Sequence, residues 1–205
     1  MVGKCSLFVY VDDLIFTGND SAMFDDFRKS MMDEFEMSDL GKMHYFLSLE
    51  IVQSNAGIFV SQKKYVQELL DRFKMQKCNP ANTPSEFVLK LYKDEEGEKV
   101  DNTLFKQITG SLMYLTATRP DIMYSVSLIS RYMESPTEMH LLAAKRILRY
   151  LQGTKDFGLF YKRGEKSNLI GFTNSDYAGD QDDRRSSSGY VFMLGIGVVS
   201  WSSKK

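Results

Sequence analysis

The fold is decided by CSLFVYVDDLIFTG, residues 5–18, in which two apolar, β-prone runs are separated by Val11, Asp12 and Asp13. Gly18 and Asn19 follow the second run and are typical turn residues. Two short apolar runs joined by polar residues predict a β-hairpin, here with a pair of acids at its tip.

Beyond this hairpin, the spacing of the apolar residues predicts helices and strands in alternation. Helical spacing is carried by two sets of residues, Phe24, Phe27, Met31 and Phe35, then Tyr65, Leu69 and Phe73. Between these sets, residues 43–52 and 57–60 read as strands. Residues 79–101 contain Pro80, Pro84 and an acidic run, and this composition predicts a flexible connection.

The second half is first helical and then extended. Helices are predicted over 104–117 and 121–133, split by Arg119-Pro120 because proline cannot donate the internal hydrogen bond of a helix. A further helix runs to Gly153, with Ser135 as N-cap and Glu138 as capping-box acid. Four strands follow, at 158–161, 169–173, 189–194 and 197–201. This order predicts an α+β fold.

Composition indicates a globular chain without a membrane span. The 205 residues are 43% hydrophobic and carry 26 basic against 27 acidic side chains, and no apolar run approaches the roughly 20 residues that a spanning helix needs. Without a signal peptide, and with Cys5 and Cys78 too far apart for a disulfide framework or a zinc site, an intracellular location is expected.

Charge is unevenly distributed along the chain. Residues 1–60 carry 4 basic and 10 acidic groups, a net charge of −6, whereas residues 61–170 carry 18 and 13, a net charge of +5. An acidic part beside a basic part suits a metal-binding carboxylate cluster next to a phosphate-contacting surface. A solvated surface with local fluctuations explains the same numbers. The mixed charges of residues 180–185 read as a solvated turn, and neither His44 nor His140 has a nearby nucleophile or metal partner in the sequence.

The acidic tip has a specific chemical interpretation. Nucleotidyl transfer uses two hard divalent cations, which need oxygen ligands on a rigid element. Adjacent carboxylates on a tight apolar hairpin supply such ligands. Taken alone, Tyr10-Val11-Asp12-Asp13 is also typical of an ordinary acidic turn.

A family resemblance extends over nearly the whole chain. The sequence resembles the reverse transcriptase of copia-type long-terminal-repeat retrotransposons in a series of ordered segments. They are YVDDLIFTGND (10–20), FEMSDLGKMHYFLSLEI (35–51), SQKKYVQELLDRF (61–73), GSLMYLTATRPDIMYSV (110–126), HLLAAKRILRYLQGT (140–154), SDYAGDQDDRRSSSGYVF (175–192) and VSWSSKK (199–205). So many matches in one order exclude chance.

The resemblance assigns roles to residues of the first part. It implies that Asp12 is a direct ligand of catalytic Mg²⁺ or Mn²⁺ and that Asp13 is its neighbour. It likens Tyr45, Phe46, Leu47 and Ser48 to the strand that grips the primer end, with serine at a position where the family usually has glycine. A β-carbon at Ser48 is expected to crowd the nucleic-acid backbone.

Roles also follow for the later parts. The helices between residues 61 and 151 resemble the thumb of the polymerase, in which Lys145, Arg146 and Arg149 would face phosphate oxygens of an RNA/DNA template-primer duplex; simple solubility explains the same basic face. The last segment resembles the opening strands of a ribonuclease H domain. There the position of the first metal ligand is taken by Asn174, a poor ligand for Mg²⁺, with Asp176 two residues on.

The resemblance therefore divides the chain into three parts. Residues 1–60 are expected to form palm hairpins, residues 61–154 a helical thumb or connection, and residues 155–205 the opening antiparallel strands of a ribonuclease H-like sheet. The family's upstream palm aspartate and its remaining ribonuclease carboxylates are not encoded between Met1 and Lys205, so both active sites are expected to be incomplete.

Three interpretations of function follow. The first is a fragment or degenerate copy of a retrotransposon RNA-directed DNA polymerase with ribonuclease H, inactive alone and completed by the remainder of a Pol polyprotein. The others are a non-catalytic nucleic-acid-binding module and a non-functional truncated transposon product. Whether the chain is itself an enzyme stays open. The family's setting is the cytoplasm or a virus-like particle.

Overall fold

The predicted acidic hairpin is present in the computed structural model, which describes residues 4–86, 91–164, 166 and 168–205. Strand β1 (Cys5–Tyr10) pairs antiparallel with β2 (Asp13–Gly18). Because Tyr10 pairs directly with Asp13, only Val11 and Asp12 form the turn. The first run of apolar, β-prone residues ends here at the two acids.

A helix covers this hairpin. Helix α1 (Ser21–Glu34) is capped by Asp20, whose carboxylate accepts the backbone N–H of Ala22 at 3.0 Å. The ring of Phe16 on β2 packs against Phe24 and Phe27 of the helix, with centroids 5.4 and 5.3 Å apart. These elements belong to a compact unit that ends at His44.

A second unit begins at Tyr45 and contains a four-stranded antiparallel sheet. Its strands, in order across the sheet, are β3 (Tyr45–Phe46), β4 (Leu49–Gln53), β5 (Gly57–Ser61) and β6 (Gly158–Lys162). Strand β6 comes from the far end of the chain and pairs along the full length of β5. This long-range pairing joins the part predicted as palm to the part predicted as ribonuclease H-like; the predicted domain boundaries stay a prediction.

Four helices supply the core of the second unit. They are α2 (Lys63–Arg72), α3 (Asn102–Leu115), α4 (Met123–Ser130) and α5 (Glu138–Gly153), with a 3-10 turn at Pro120–Ile122 before α4. The break at Arg119-Pro120 is therefore confirmed. Fully buried side chains of this core include Leu69, Phe105, Leu112 and Leu151. Along α3, the buried residues Phe105, Ile108, Leu112 and Leu115 are spaced three or four residues apart, which places them on one face of the helix.

Parts of the segment predicted as a flexible connection contact α5 and the residues just before it. The N–H of Ala81 donates to the carbonyl of Arg149 at 3.2 Å, and the N–H of Val100 donates to Pro136 at 3.2 Å. Leu91 is 5% exposed and joins the core. Composition alone predicted flexibility wrongly for these residues, because their backbone groups and one apolar side chain find partners on a distant helix; residues 87–90 lie outside the described part.

The start of α5 differs from the predicted cap. Thr137 is the N-cap residue in place of Ser135, and the capping-box partner is His140 in place of Glu138. Nδ1 of His140 accepts the N–H of Thr137 at 3.0 Å, and Nε2 donates to the carbonyl of Tyr92 at 3.0 Å. Burial lowers the pKa of His140, so the imidazole is neutral and serves a structural role.

The chain ends in a three-stranded antiparallel sheet. Its strands β7 (Leu169–Ser175), β8 (Ser188–Leu194) and β9 (Gly197–Lys204) follow one another in space, and the predicted hairpin at Gly195 and Ile196 is confirmed. The indole N–H of Trp201 donates to the carbonyl of Thr116 at 2.9 Å, which anchors the sheet to the helices. The mixed helices and antiparallel sheets confirm an α+β fold. In the described residues, no helix is long and apolar enough to span a bilayer.

Candidate functional site

The carboxylates of Asp12 and Asp13 lie exposed at the tip of the first hairpin. The residue that makes the turn, Val11, has a φ of 53° and is 79% exposed. A β-branched residue in the left-handed region is strained, since its side chain crowds the following carbonyl. Strain of this kind is often found at functional sites. Here it lies directly beside Asp12.

The oxygen ligands of Asp12 and Asp13 are of the type that a divalent metal ion prefers, but two carboxylates are too few for a two-metal site. Carboxylate oxygens are the ligands that Mg²⁺ prefers, and it usually takes one or two of them together with substrate phosphates. Among the residues that the structure describes, no group of three or more His, Cys, Asp or Glu side chains is placed to hold a metal ion. A two-metal site of the polymerase kind would need a further acid beside this pair.

Residues Tyr45 to Ser48 form the end of a hairpin, whereas the sequence predicted a continuous strand. Phe46 pairs with Leu49, so Leu47 and Ser48 form a two-residue turn, with φ values of 47° and 60°. Two successive residues with positive φ are the signature of the type I′ turn, which favours glycine at its second position. The glycine expected in place of Ser48 is therefore explained by backbone conformation, without any appeal to crowding of a nucleic acid.

Helices α2 and α3 contact this turn. The hydroxyl of Tyr114 donates to the carbonyl of Leu47 at 2.5 Å, and the Tyr114 ring packs edge-on against Tyr65, with centroids 5.1 Å apart. The ammonium group of Lys64 lies 5.8 Å from the centroid of the Tyr45 ring. Sequence analysis missed Tyr114, because nothing local links residue 114 to residue 47.

Two of the three predicted phosphate-contacting residues have intramolecular partners. Arg146 forms an ion pair with Glu86 and donates to the hydroxyl of Thr83 at 3.1 Å. Nε of Arg149 donates to the carbonyl of Asn79 at 2.8 Å. These contacts fix the segment 79–86 on α5. A structural role thus accounts for both arginines, and contact with phosphate stays a prediction.

The third predicted residue, Lys145, is half-buried on the same helix. It makes no ion pair or hydrogen bond with any residue in the described part of the chain. Among the described residues, Lys145 thus differs from Arg146 and Arg149, which both have partners.

Asn174 and Asp176 lie together at one end of the last sheet. Both line a groove of about 420 Å³ between this sheet and the start of α4. The side chain of Asp176 accepts the backbone N–H of Ser187 at 2.8 Å and that of Gly179 at 3.4 Å. One oxygen of the Asp176 carboxylate is therefore used to close the loop 177–187.

Within residues 180–185, which were predicted as a solvated turn, residues 181–185 are exposed but Asp180 is not. Asp180 is only 6% exposed, and its carboxylate pairs with Arg131 at 3.0 Å and with Lys205 at 2.6 Å. Burial by itself raises the pKa of Asp180, but hydrogen bonds from Lys205 and from the backbone N–H groups of Asp183 and Asp182 outweigh it and lower the pKa to about 2. The prediction was wrong for Asp180, because its partner Arg131 lies 49 residues away in sequence.

Replacement of Asp180 by asparagine is expected to reduce stability in a pH-dependent way. The folded pKa lies below the ordinary value of 3.8, so the carboxylate contributes stability above pH 4 and loses it as the pH falls toward 2. At pH 7 the loss is expected to be on the order of 2 kcal/mol. Urea unfolding at pH 7 and at pH 2.5 measures it. An equal difference between wild type and Asp180→Asn at both pH values would contradict this account.

A buried arginine connects the 3-10 turn to α5. Arg119 is 1% exposed and donates from Nε and Nη2 to Asp121 at 2.9 and 2.7 Å. It also donates to the carbonyl and the hydroxyl of Thr154, at 2.9 and 2.7 Å. The hydroxyl of Tyr150 donates to Asp121 at 2.9 Å. This network stabilises the packing of the 3-10 turn against the end of α5.

Comparison with known proteins places these features in a family. Residues 2–87 match the family model for reverse transcriptase (RNA-dependent DNA polymerase). The chain is 42% identical over 199 residues to the retrovirus-related Pol polyprotein from transposon RE1 of Arabidopsis thaliana, covering 97% of this chain and 14% of that protein. It is 38% identical over 200 residues to an uncharacterized mitochondrial protein of the same plant, 82% of which is covered.

A relative from yeast extends the match. The chain is 33% identical over 205 residues to a putative transposon Ty5-1 protein of Saccharomyces cerevisiae, covering 99% of this chain and 67% of that protein. No solved structure matches the chain. The chain thus belongs to the reverse transcriptase family of retrotransposon Pol polyproteins. The Pol polyproteins from transposons RE1, RE2 and TNT 1-94 come from copia-type elements, and the predicted resemblance is confirmed.

Proposed function

We propose that this chain provides the carboxylate hairpin and the supporting helices of an RNA-directed DNA polymerase within a Pol polyprotein. The observation that carries the proposal is the exposed Asp12-Asp13 pair at a strained hairpin tip, inside the segment 2–87 that matches the reverse transcriptase family. In this role Asp12 binds a catalytic Mg²⁺ or Mn²⁺ ion directly, and Asp13 lies beside it.

The bound ion would supply Lewis-acid stabilisation of charge on the reacting oxygens. The hairpin contributes rigidity, because β1 and β2 pair without a bulge up to Tyr10 and Asp13. Rigid placement matters, since a metal ligand must be held before the substrate arrives. A third carboxylate would come from another part of the polyprotein.

Each part of the chain has a place in this proposal. Residues 1–60 act as palm, residues 61–154 as thumb facing a template-primer duplex, and residues 155–205 as the opening strands of a ribonuclease H-like sheet. The antiparallel order β7-β8-β9 supports the last assignment. Asn174 offers a neutral amide in place of a carboxylate, so this sheet is not expected to hydrolyse RNA.

The same proposal covers a truncated or degenerate copy. The chain spans 14% of the length of the Pol polyproteins from transposons RE1 and RE2. The uncharacterized mitochondrial relative, 82% of which the chain covers, supports such a copy. In either case the metal ligands and the primer contacts are the same residues.

Polymerase activity is expected only when the 205 residues are combined with the rest of a Pol polyprotein. The test compares the purified chain with a chimera in which it replaces the matching segment of the RE1 Pol polyprotein. With Mg²⁺ or Mn²⁺ and a primed template, the chimera is expected to extend the primer and the chain alone is not. Fluorescence of Trp201, the single tryptophan, verifies that the chain is folded. Extension by the chain alone that is lost in Asp12→Ala would contradict the proposed dependence on further carboxylates.

A further inference from the structure

The turn at Leu47 and Ser48 is held in an unfavourable backbone conformation. Both residues carry side chains, and both have positive φ, at 47° and 60°. A left-handed conformation is unfavourable for each L-residue because Cβ approaches the following carbonyl oxygen. The two-residue β3 has only Tyr45 and Phe46 to pair with β4. So short a ladder is a weak restraint on a strained turn.

Tyr114 supplies an additional restraint from outside the hairpin. Its hydroxyl donates to the carbonyl of Leu47, the first residue of the turn, at 2.5 Å. The ring packs edge-on against Tyr65 of α2, which fixes the direction of the hydroxyl. Tyr114 lies one residue before the end of α3, and α3 is anchored in the core by Phe105, Leu112 and Leu115. The turn is therefore connected to the buried helical core of this unit.

The Tyr114 ring itself is 43% exposed, so burial is not its main contribution. The contact that distinguishes it from other exposed tyrosines is the hydrogen bond to Leu47. Tyr124 on α4 is a suitable comparison, because it is 50% exposed and its hydroxyl makes no hydrogen bond to any residue that the structure describes. Removal of either hydroxyl deletes one oxygen and leaves the ring in place.

We infer that Tyr114 is a positioning residue, which fixes the turn of Leu47 and Ser48 in the orientation that contacts the primer strand. This inference rests on the proposed function, in which residues 45–48 grip the primer. It adds a residue from α3 that acts through the turn. Lys64 of α2 lies over the ring of Tyr45 and places a positive charge beside this hairpin. A loosened turn would bind the primer more weakly and leave the chemical step unchanged.

Hydrogen exchange tests the positioning contact without any assay of function. In Tyr114→Phe, the amides of residues 46–50 are expected to exchange about 5-fold faster than in wild type, the effect of losing one ordinary hydrogen bond. In Tyr124→Phe they are expected to exchange at the wild-type rate. Equal exchange in Tyr114→Phe and wild type overturns the inference, whatever the polymerase assay gives.

A second replacement separates positioning from general loss of stability. Glycine tolerates positive φ, so Ser48→Gly relieves the backbone strain at residue 48, and the turn then depends less on the hydrogen bond from Tyr114. In the chimera, Tyr114→Phe is expected to raise KM for template-primer about 5-fold with kcat unchanged. Adding Ser48→Gly to Tyr114→Phe is expected to lower KM most of the way back to the wild-type value. Faster exchange without any change in KM overturns the inference. If primer extension by the chimera does not depend on Asp12, the proposed function is overturned instead. The exchange measurement does not depend on that outcome.

Discussion

Replacement of Arg119 by leucine is expected to destabilise the second unit by about 3 kcal/mol. The guanidinium makes four hydrogen bonds at 2.9 Å or less, two to Asp121 and two to Thr154. Removing one partner of a buried ion pair typically costs roughly 3–5 kcal/mol. The lower end of this range applies, because the side chain of Asp121 is 31% exposed and water can solvate its carboxylate once the arginine is removed.

The geometry of Arg119 also predicts that lysine cannot replace it. The planar guanidinium reaches Asp121 and Thr154 at once, whereas a single ammonium group reaches one of them. The ring centroids of Tyr150 and Phe157 lie 5.7 and 5.5 Å from the guanidinium carbon, and these contacts also favour a flat cation. Arg119→Lys is therefore expected to remain less stable than wild type.

Urea unfolding followed by Trp201 fluorescence measures both variants, since Trp201 lies in the same unit. Arg72→Leu is the matched control, because Arg72 is exposed and no ion pair of the described residues includes it. Its effect is expected to stay within about 0.5 kcal/mol. A loss below about 1 kcal/mol for Arg119→Leu would contradict the structural role assigned to this network.

The hairpin of β1 and β2 was predictable from sequence because its information is local. Two apolar, β-prone runs, two acids and a following glycine lie within residues 5–18, and the pairing partners are close in sequence. The caps and breaks at Asp20 and Pro120 were predictable for the same reason. Local chemistry determines these features, and no distant contact overrides it.

Contacts between distant residues account for what sequence analysis missed. Asp180 pairs with Arg131, 49 residues away, and is therefore buried, although it was predicted to lie in a solvated turn. Tyr114 and Leu47 are 67 residues apart. Arg119 was recognised only as the residue before a helix-breaking proline, and its partner Thr154 lies 35 residues further on. Such partners are set by tertiary packing, which composition and periodicity do not encode.

Loss of the Asp12 carboxylate is expected to have the largest effect on function. A catalytic metal ion contributes several kcal/mol to the stabilisation of the transition state, and each 1.36 kcal/mol is tenfold in rate. Replacement of Asp12 by asparagine keeps the size of the side chain and removes its charge. In the chimera this change is expected to lower kcat by about 10³-fold or more. Asp12 is exposed, so the fold is expected to be unaffected.

The most direct test of the central claim is primer extension by the chimera carrying Asp12→Asn, compared with the same chimera carrying Asp26→Asn. Asp26 is an exposed acid on α1 in the same unit, and no ion pair of the described residues includes it. A loss of about 10³-fold with Asp12→Asn, beside unchanged activity with Asp26→Asn, is the result expected if the first hairpin holds the catalytic metal. Undiminished extension with Asp12→Asn would show that the acidic hairpin is not the metal site.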